Sequence, residues 1–571
     1  MQPRPTVPFE HASGRRVVSS REPANVLRIT TGPELRPEGD KRFLRWETSV
    51  PADSLLTYGR GDPFQHIIAK DPQFATEHAC ELPSLPFIEF CRFRIVSMDA
   101  DGHVVTGVWG PGLGPRNALL ADVRAAHPEL CSSVPSPVAA WADYDEDGDL
   151  DVALGSSAAA NASVKLLQSD GGTFKNVTTS ACPALAGSSA SWGDFNADGR
   201  LDLLTAGERL VLYRSAGPPR WTFEADSQAI PQAAGDGLRE AAFVDLNGDG
   251  LPDILAVDAA GKPKVLVNGG PPAFAFQEAP LIGSADNVRV SMRHMLSADF
   301  TADGLTDIWY SGAGGVMLKN ENGKLKVAAG TVPYLGSSAG DSPSTAAGDF
   351  DGDGDLDLYV PPHGKSAGGV LLLNDGLGGF RKAESTGELA AFSAPSVCAA
   401  AADLTGNGLP DLVIAPAAGR LKVFLNLGTG AFMDGTELCD FSPAESFVAN
   451  GITFADLNGD SAPDLYVSTE RGGIVLENRC LGAQRGDFIT VRPSGRRGVS
   501  GALVCLQTAE GSRSIQACQT GSSPLNPPEC TFGVRDLSEA RIEVRFSDGT
   551  KKSVPWVRSG TSRTLVVDHG E

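Results

Sequence analysis

Cationic residues are scarce in this chain. Lys and Arg number 48 against 70 Asp and Glu, a formal charge of −22, so nucleic acid and anionic membrane surfaces are poor partners. The longest apolar runs, such as VCAAAADL at 397–404, fall far short of the roughly 20 residues of a helical membrane span. The eight histidines are scattered and form no H-E-x-x-H or similar cluster. GSSAG at 336–340 fits G-x-S-x-G but lacks the strand–turn–helix context that aims a nucleophilic serine, and it reads as a Gly/Ser loop. No catalytic constellation is visible, so the expectation is a non-enzyme. No two of the ten cysteines are spaced C-x-x-C. The even number reads as disulfides in an oxidising compartment rather than zinc or redox sites, with buried thiols as the alternative. Cys505 and Cys518 flank a hairpin-like segment and are the expected pair; the other pairings stay open. The first residues, MQPRPTVPFEHASGRRVV, contain no apolar h-region, so no signal peptide is visible. Either the numbering starts from a processed form or delivery uses another route.

Glycine and proline, by contrast, are abundant, 66 and 39 residues with only 21% charged, as in a turn-rich β protein. At 571 residues the chain exceeds a single core, so several domains or a repeat array are expected. Self-similarity is plain. DYDEDGDLD, DFNADGRLD, DLNGDGLPD, DFTADGLTD, DFDGDGDLD, DLTGNGLPD and DLNGDSAPD start at Asp143, Asp194, Asp245, Asp299, Asp349, Asp403 and Asp456, with spacings of 51, 51, 54, 50, 54 and 53 residues. Small residues precede each copy (PVAAWA, SASWG, STAAG) and an apolar run of strand length follows (VALG, ILAV, LVIA). About ten residues later a second run ends near Asn, as in VLVNGG and VLLLNDG, and a turn and a Phe (Phe174, Phe223, Phe276, Phe380, Phe432) usually close the unit. Four short strands per unit in tandem predict an all-β, seven-bladed β-propeller over 91–480, with the small residues on the crowded innermost strands. An irregular N-terminal extension (1–90) would precede it and a small β domain (484–571) would follow. The seventh unit lacks an obvious fourth strand. FRIVSMDADGHVVTGVW from Phe93 is the candidate to complete it, or else a degenerate eighth blade, since DADG echoes the repeat.

The repeated loops carry 24 aspartates, comparable to the whole charge excess. Close carboxylates repel unless they share protons or a cation. Side-chain oxygens recur at position 1 (Asp143, Asp194, Asp245, Asp299, Asp349, Asp403, Asp456) and position 3 (Asp145, Asn196, Asn247, Thr301, Asp351, Thr405, Asn458). They recur again at position 5 (Asp147, Asp198, Asp249, Asp303, Asp353, Asn407, Asp460) and position 9 (Asp151, Asp202, Asp253, Asp307, Asp357, Asp411, Asp464). Position 7 would lend a backbone carbonyl: Asp149, Arg200, Leu251, Leu305, Asp355, Leu409 and Ala462. A flexible, oxygen-only shell suits Ca²⁺ over Mg²⁺ or Zn²⁺, and glycine at position 6 permits the sharp turn. Simple Asp/Gly hairpin turns are the bland alternative, but they need one or two such residues rather than four fixed offsets. Up to seven Ca²⁺ are expected, which would bring the formal charge to −8. Such loops favour an extracellular or luminal address, where free Ca²⁺ is high.

These repeats resemble FG-GAP/VCBS repeats, the calcium-bearing blades of integrin α-subunit propellers and of many secreted proteins. The resemblance covers about 130–480 and implies positions 1, 3, 5 and 9 as ligands. The tail, with GALV, FGV and IEVRFSDG, resembles the ASPIC/UnbV domain, and propeller plus tail resembles the cartilage acidic protein family. That resemblance implies a secreted or matrix-associated protein that binds proteins, adheres or scaffolds, within a larger assembly. A carbohydrate-binding or polysaccharide-cleaving propeller is the second expectation. Expected partners are thus proteins or glycans of the cell surface, matrix or a luminal complex. The sequons at Asn161 and Asn176 lean towards a glycoprotein, and RGD at 60–62 and 485–487 is read mainly as a coincidence of composition.

Overall fold

The computed structural model describes residues 27–570 except 39–40, 60–65, 82–91, 101–103, 110–118, 132–136, 157–163, 231–236, 259–260, 281–294, 311–314, 322, 329–342, 364–367, 440, 442–446, 480–486, 496–498, 500–501, 508–512, 518–528, 535–540 and 556–563. The contacts divide the chain into two units, Met1–Asn117 and Ala118–Glu571.

The first unit is a five-stranded antiparallel sheet, which corrects the expectation of an irregular extension. Its spine, Lys41–Gly59, pairs with Ile29–Glu38, His66–Glu81 and Arg92–Met98. The signal was present in RFLRWET: Leu44, Trp46 and Thr48 are buried while Arg45 and Glu47 are exposed, the period-2 alternation of a half-buried strand. Trp46 stacks on His78 with centroids 5.1 Å apart and donates to Ser97 Oγ at 3.4 Å. The segment from Phe93 forms the hairpin Arg92–Met98/Val104–Trp109 in this sheet. It therefore neither completes the seventh repeat nor makes an eighth, and the boundary expected at 91 moves to about 117.

In the second unit, seven four-stranded antiparallel sheets succeed one another in chain order among the described residues. In the first six, neighbouring strands are consecutive in sequence, as in Pro137–Ala142, Asp151–Ser156, Lys165–Asp170 and Thr173–Asn176. The seventh takes its outer strand from upstream: Leu120–Asp122 pairs with Gly472–Asn478. Three residues are too few for any periodicity to announce a strand; Leu119 and Leu120, both fully buried, are what this segment contributes. First strands of the first three sheets lie side by side, as do those of the last three, and Ala449–Ala455 of the seventh meets Pro137–Ala142 of the first; shared apolar clusters join the third, fourth and fifth sheets. This ring-closed all-β architecture is that of a β-propeller, in which closure leaves no long edge exposed.

Small residues permit the crowding. A Cβ on Gly193 would fall 2.7 Å from a ring carbon of Phe243 in the next sheet. Indole N–H groups tie neighbouring first strands together, Trp192 to the Ala140 carbonyl at 3.0 Å and Trp141 to Thr453 Oγ1 at 3.0 Å across the closing seam. The repeated phenylalanines all lie buried on fourth strands. At the seam one apolar cluster joins Ala139, Trp141 and Leu154 to Leu457, Tyr466 and Val475.

The tail folds into two small sheets. Asp487–Ser494 pairs with Cys530–Val534 and, in parallel, with Thr564–Asp568, while Arg513–Ala517, Leu503–Gln507, Arg541–Arg545 and Lys551–Pro555 form the other. Their facing sides bury Ile489, Val491, Val504, Phe532, Ile542 and Val544. Cys505 lies opposite Ile515, and its expected partner Cys518 lies outside the described residues. Cys80, Cys131, Cys182 and Cys398 are thiols rather than disulfides. Asn161 and GSSAG lie outside the described residues, as do both RGD tripeptides apart from Asp487, which opens a strand. Asn176 is exposed, and its Oδ1 accepts from Thr178 of its own sequon.

Candidate metal loops

Each repeated loop is the turn between the first and second strands of its sheet. Position 1 follows the last residue of the first strand, and position 9 is the first residue of the second in all seven copies. One hydrogen-bond scheme recurs. Position-1 Oδ2 accepts the backbone N–H of position 6 in every loop, at 2.7–3.1 Å. The N–H of position 7 donates to the position-5 side chain in every loop. Position-9 Oδ1 accepts an N–H from the end of the third strand, at Ser169, Ser215, Asn268, Asn320, Asn374, Asn426 or Asn478. Position 9 thereby ties the second strand of each sheet to the third through one carboxylate.

To wrap this tightly the backbone is left-handed at position 6 and also at position 4. Position 4 is glycine in four loops but Glu146, Ala197 and Ala302 in the others, with φ of 54–58°. Ser461 holds position 6 of the seventh loop at φ 66°. An L side chain is strained there, so Ser461→Gly is expected to stabilise the protein by about 1 kcal/mol in thermal melts.

The ligand set is assembled unevenly. Carboxylate oxygens of Asp143, Asp145 and Asp151 lie within 4.8 Å of one another, as do those of Asp349, Asp351 and Asp353. In these two loops position 3 has an oxygen that is buried and unpartnered, Oδ1 of Asp145 and of Asp351. Such an oxygen in a carboxylate cluster is what a cation would satisfy. Asp202 Oδ2 is likewise buried and unpartnered. Threonine at position 3 behaves differently. Thr301 and Thr405 donate their hydroxyls to the position-9 carboxylates Asp307 and Asp411, at 3.1 and 3.2 Å. A neutral donor thus occupies the gap that an ion would bridge elsewhere. In the sixth loop Asn407 Nδ2 also turns away to the Asn426 carbonyl, at 3.0 Å.

Burial dominates the electrostatics. Loss of hydration, only partly offset by N–H donors, pushes Asp151, Asp202 and Asp357 up to about 8, Asp194, Asp253, Asp307 and Asp349 up to about 7, and Asp456 up to about 6. Neighbouring aspartates add to the rise, for example Asp145 and Asp143 on Asp151. Asp411 and Asp464 rise for the same reasons. These carboxylates strongly favour a proton or a cation in their midst.

A further functional element is the recurring third-strand asparagine, visible in the sequence but without an assignable role there. Asn268, Asn320, Asn374, Asn426 and Asn478 each donate Nδ2 to a loop carbonyl of the preceding repeat, respectively Phe195, Leu246, Phe300, Phe350 and Leu404, at 2.7–3.0 Å. The loops are therefore latched sheet to sheet. Serine stands at the equivalent places in the first two sheets, Ser169 and Ser215, and is too short to reach. Asn374→Ala would remove the side-chain partner of the Phe300 and Leu356 carbonyls and of the Gly378 N–H. A loss of about 2–4 kcal/mol is expected in denaturant titration, with Leu377→Ala, 70% exposed on the same turn, near neutral.

A family model of FG-GAP-like repeats matches residues 143–205, 245–310, 299–360 and 403–467; these matches lie within the ring of four-stranded sheets. No curated protein matches the chain. Among solved structures, similarity extends to the extracellular domain of a provisionally assigned hybrid two-component system of B. thetaiotaomicron (15% identity, 66% of this chain and 43% of that one, TM-score 0.37). It also extends to the Tc holotoxin pore of Photorhabdus luminescens (16%, 77% and 17%, 0.30) and to Saccharomyces cerevisiae Sqt1 (11%, 65% and 100%, 0.34). The chain thus spans less than half the length of the first two. Among the described residues no helix is long and apolar enough to cross a membrane.

Proposed function

We propose that this chain is a calcium-loaded β-propeller that serves as a protein-binding, adhesion or scaffold module outside the cell or in an organelle lumen. The observation that carries the calcium reading is the buried, unpartnered position-3 oxygen inside the carboxylate clusters of the first and fifth loops. Asp143, Asp145, Asp147 and Asp151, and Asp349, Asp351, Asp353 and Asp357, would hold the ion by side chains, with the carbonyls of Asp149 and Asp355 at position 7. The loops from Asp194, Asp245 and Asp456 offer similar oxygens. The two threonine loops, satisfied by their own hydroxyls, need an ion least. The bound cation supplies positive charge that relieves the carboxylates and holds the hairpin shut. The address follows from the affinity such modules have, on the order of 10⁻⁴ to 10⁻³ M, which is useful only where Ca²⁺ is plentiful. The repeats support a binding role, and the tail's likeness to ASPIC/UnbV supports a place beside secreted propeller proteins.

Elemental analysis and native mass spectrometry of the purified full chain test the first part: bound calcium removable by EGTA is expected, and its absence would overturn the reading. Co-purification from cells with and without chelator tests the second. Partners that are proteins support the binding-module reading. Retention only by glycans would favour the carbohydrate alternative.

A further inference from the structure

The C-terminal β domain is packed on the loops, and it reaches them through the position-1 aspartates. Arg492 Nη1 lies 2.6 Å from Asp143 Oδ2, Ser547 Oγ donates to Asp245 Oδ2 at 2.7 Å, and the Gly533 N–H donates to Asp403 Oδ2 at 2.8 Å. Room at Gly533 is nil: a Cβ there would fall 2.2 Å from Gly406 Cα and 2.3 Å from Asp403 Oδ2. Leu503 and Cys505 extend the contact by packing with Phe300, Trp309 and Leu356. One surface of the domain thus touches loops far apart in the sequence.

We infer that the C-terminal β domain is a cap whose seating and the cation occupancy of the loops are one coupled equilibrium, with opposite signs at two loops. This rests on the calcium reading above. At Asp245 the contact is a neutral hydroxyl. It fixes the carboxylate without opposing a cation, so it helps an ion bind, as outer hydrogen bonds do at metal sites. At Asp143 the contact is a guanidinium, held on its other side by the buried Glu529 at 3.0 Å. A fixed positive charge on a ligand carboxylate opposes the ion. The first loop is one of the two richest in aspartate, and its Asp145, with an unpartnered oxygen, is 8% exposed. Arg492 therefore restrains the affinity of a site that would otherwise bind tightly. The location is apt: the junction of the seventh and first sheets lacks the asparagine latch, and a cavity of about 420 Å³ lined by Asp149, Asp456, Asp460, Thr490, Arg492 and Glu529 opens beside it. Capping thus places Arg492 and Glu529 at this seam.

The test uses the full chain as wild type, Ser547→Ala, Arg492→Lys and the pair Arg492→Gln with Glu529→Gln, which avoids stranding a buried carboxylate. Calcium isotherms are read together with hydrogen exchange of strands Asp487–Ser494, which carries Arg492, and Arg541–Arg545, which ends two residues before Ser547. In the wild type, calcium is expected to slow exchange of Arg541–Arg545 at least tenfold and to speed that of Asp487–Ser494, because coupling is reciprocal and the ion competes with Arg492 for Asp143. Ser547→Ala should weaken one class of site by about tenfold. The paired variant should tighten one class by about tenfold, sensed as Tb³⁺ emission sensitised by Tyr144 at position 2 of the first loop, while Arg492→Lys, which keeps the charge, should not. Equal affinities in all variants, together with strand exchange indifferent to calcium, would overturn the coupling while leaving calcium binding intact. A wild type that binds no calcium would overturn both, and the ion count tells the two failures apart. Circular dichroism of each calcium-free variant shows whether the fold is kept.

Discussion

Chelation with EGTA is expected to lower the melting temperature of the propeller by about 10 °C. At about 1 mM free Ca²⁺ and a dissociation constant of about 0.1 mM, linkage gives roughly 1.4 kcal/mol per site. Seven loaded loops would contribute about 10 kcal/mol, comparable to the whole stability of a typical domain. Unfolding entropy is about 2.1 cal/mol/K per residue, which over the unit Ala118–Glu571 amounts to about 1 kcal/mol/K and converts the loss to about 10 °C. The ion acts at the hairpin that begins every sheet, and an asparagine latches neighbouring sheets at five of the seven junctions. Loosening should therefore spread around the ring rather than stay in one loop. If only the first and fifth loops load, the loss shrinks to about 3 kcal/mol. Differential scanning calorimetry with graded free Ca²⁺ distinguishes these outcomes, and a melting temperature independent of Ca²⁺ would contradict the account.

The second large effect is an inverted pH dependence in the metal-free protein. Eight of the position-1 and position-9 aspartates rise to about 6–8 when folded, against about 3.9 when unfolded. Between those values the folded state holds more protons than the unfolded one, so stability falls as pH rises. The contribution is complete below about pH 4 and is lost as pH climbs through the folded values. Every tenfold gain in a carboxylate's proton affinity on folding is worth about 1.4 kcal/mol, and several such groups act together, so a loss on the order of several kcal/mol is expected between pH 5 and pH 8. Calcium reverses the slope, because the ion needs ionised ligands and is expelled by protons. Melting curves in EGTA at pH 5 and pH 8, set against the same curves in calcium, provide the check. A metal-free protein more stable at pH 8 would refute this reading of the buried carboxylates.

Much of the molecule could be read from the residues alone. Spacing near fifty residues, small residues before each Asp and apolar runs after it determined the number of repeated units, the strands in each and the position of every loop. These features are local: a turn, a strand period and a set of oxygen offsets are written in contiguous residues. What the tertiary structure decided is where distant segments meet. Leu120–Asp122 closes the seventh sheet because Asn478 and Leu476 offer it a free edge, and nothing in three residues advertises that. Thr301 and Thr405 look like degraded ligands in the sequence, yet in space they supply the hydrogen bond that an ion would replace. The asparagine latch and the contacts of Arg492, Ser547 and Gly533 with Asp143, Asp245 and Asp403 join residues 73 to 349 positions apart. Pairing over such distances depends on ring closure and on the docking of a second sheet pair, and no local pattern of charge or hydrophobicity encodes it.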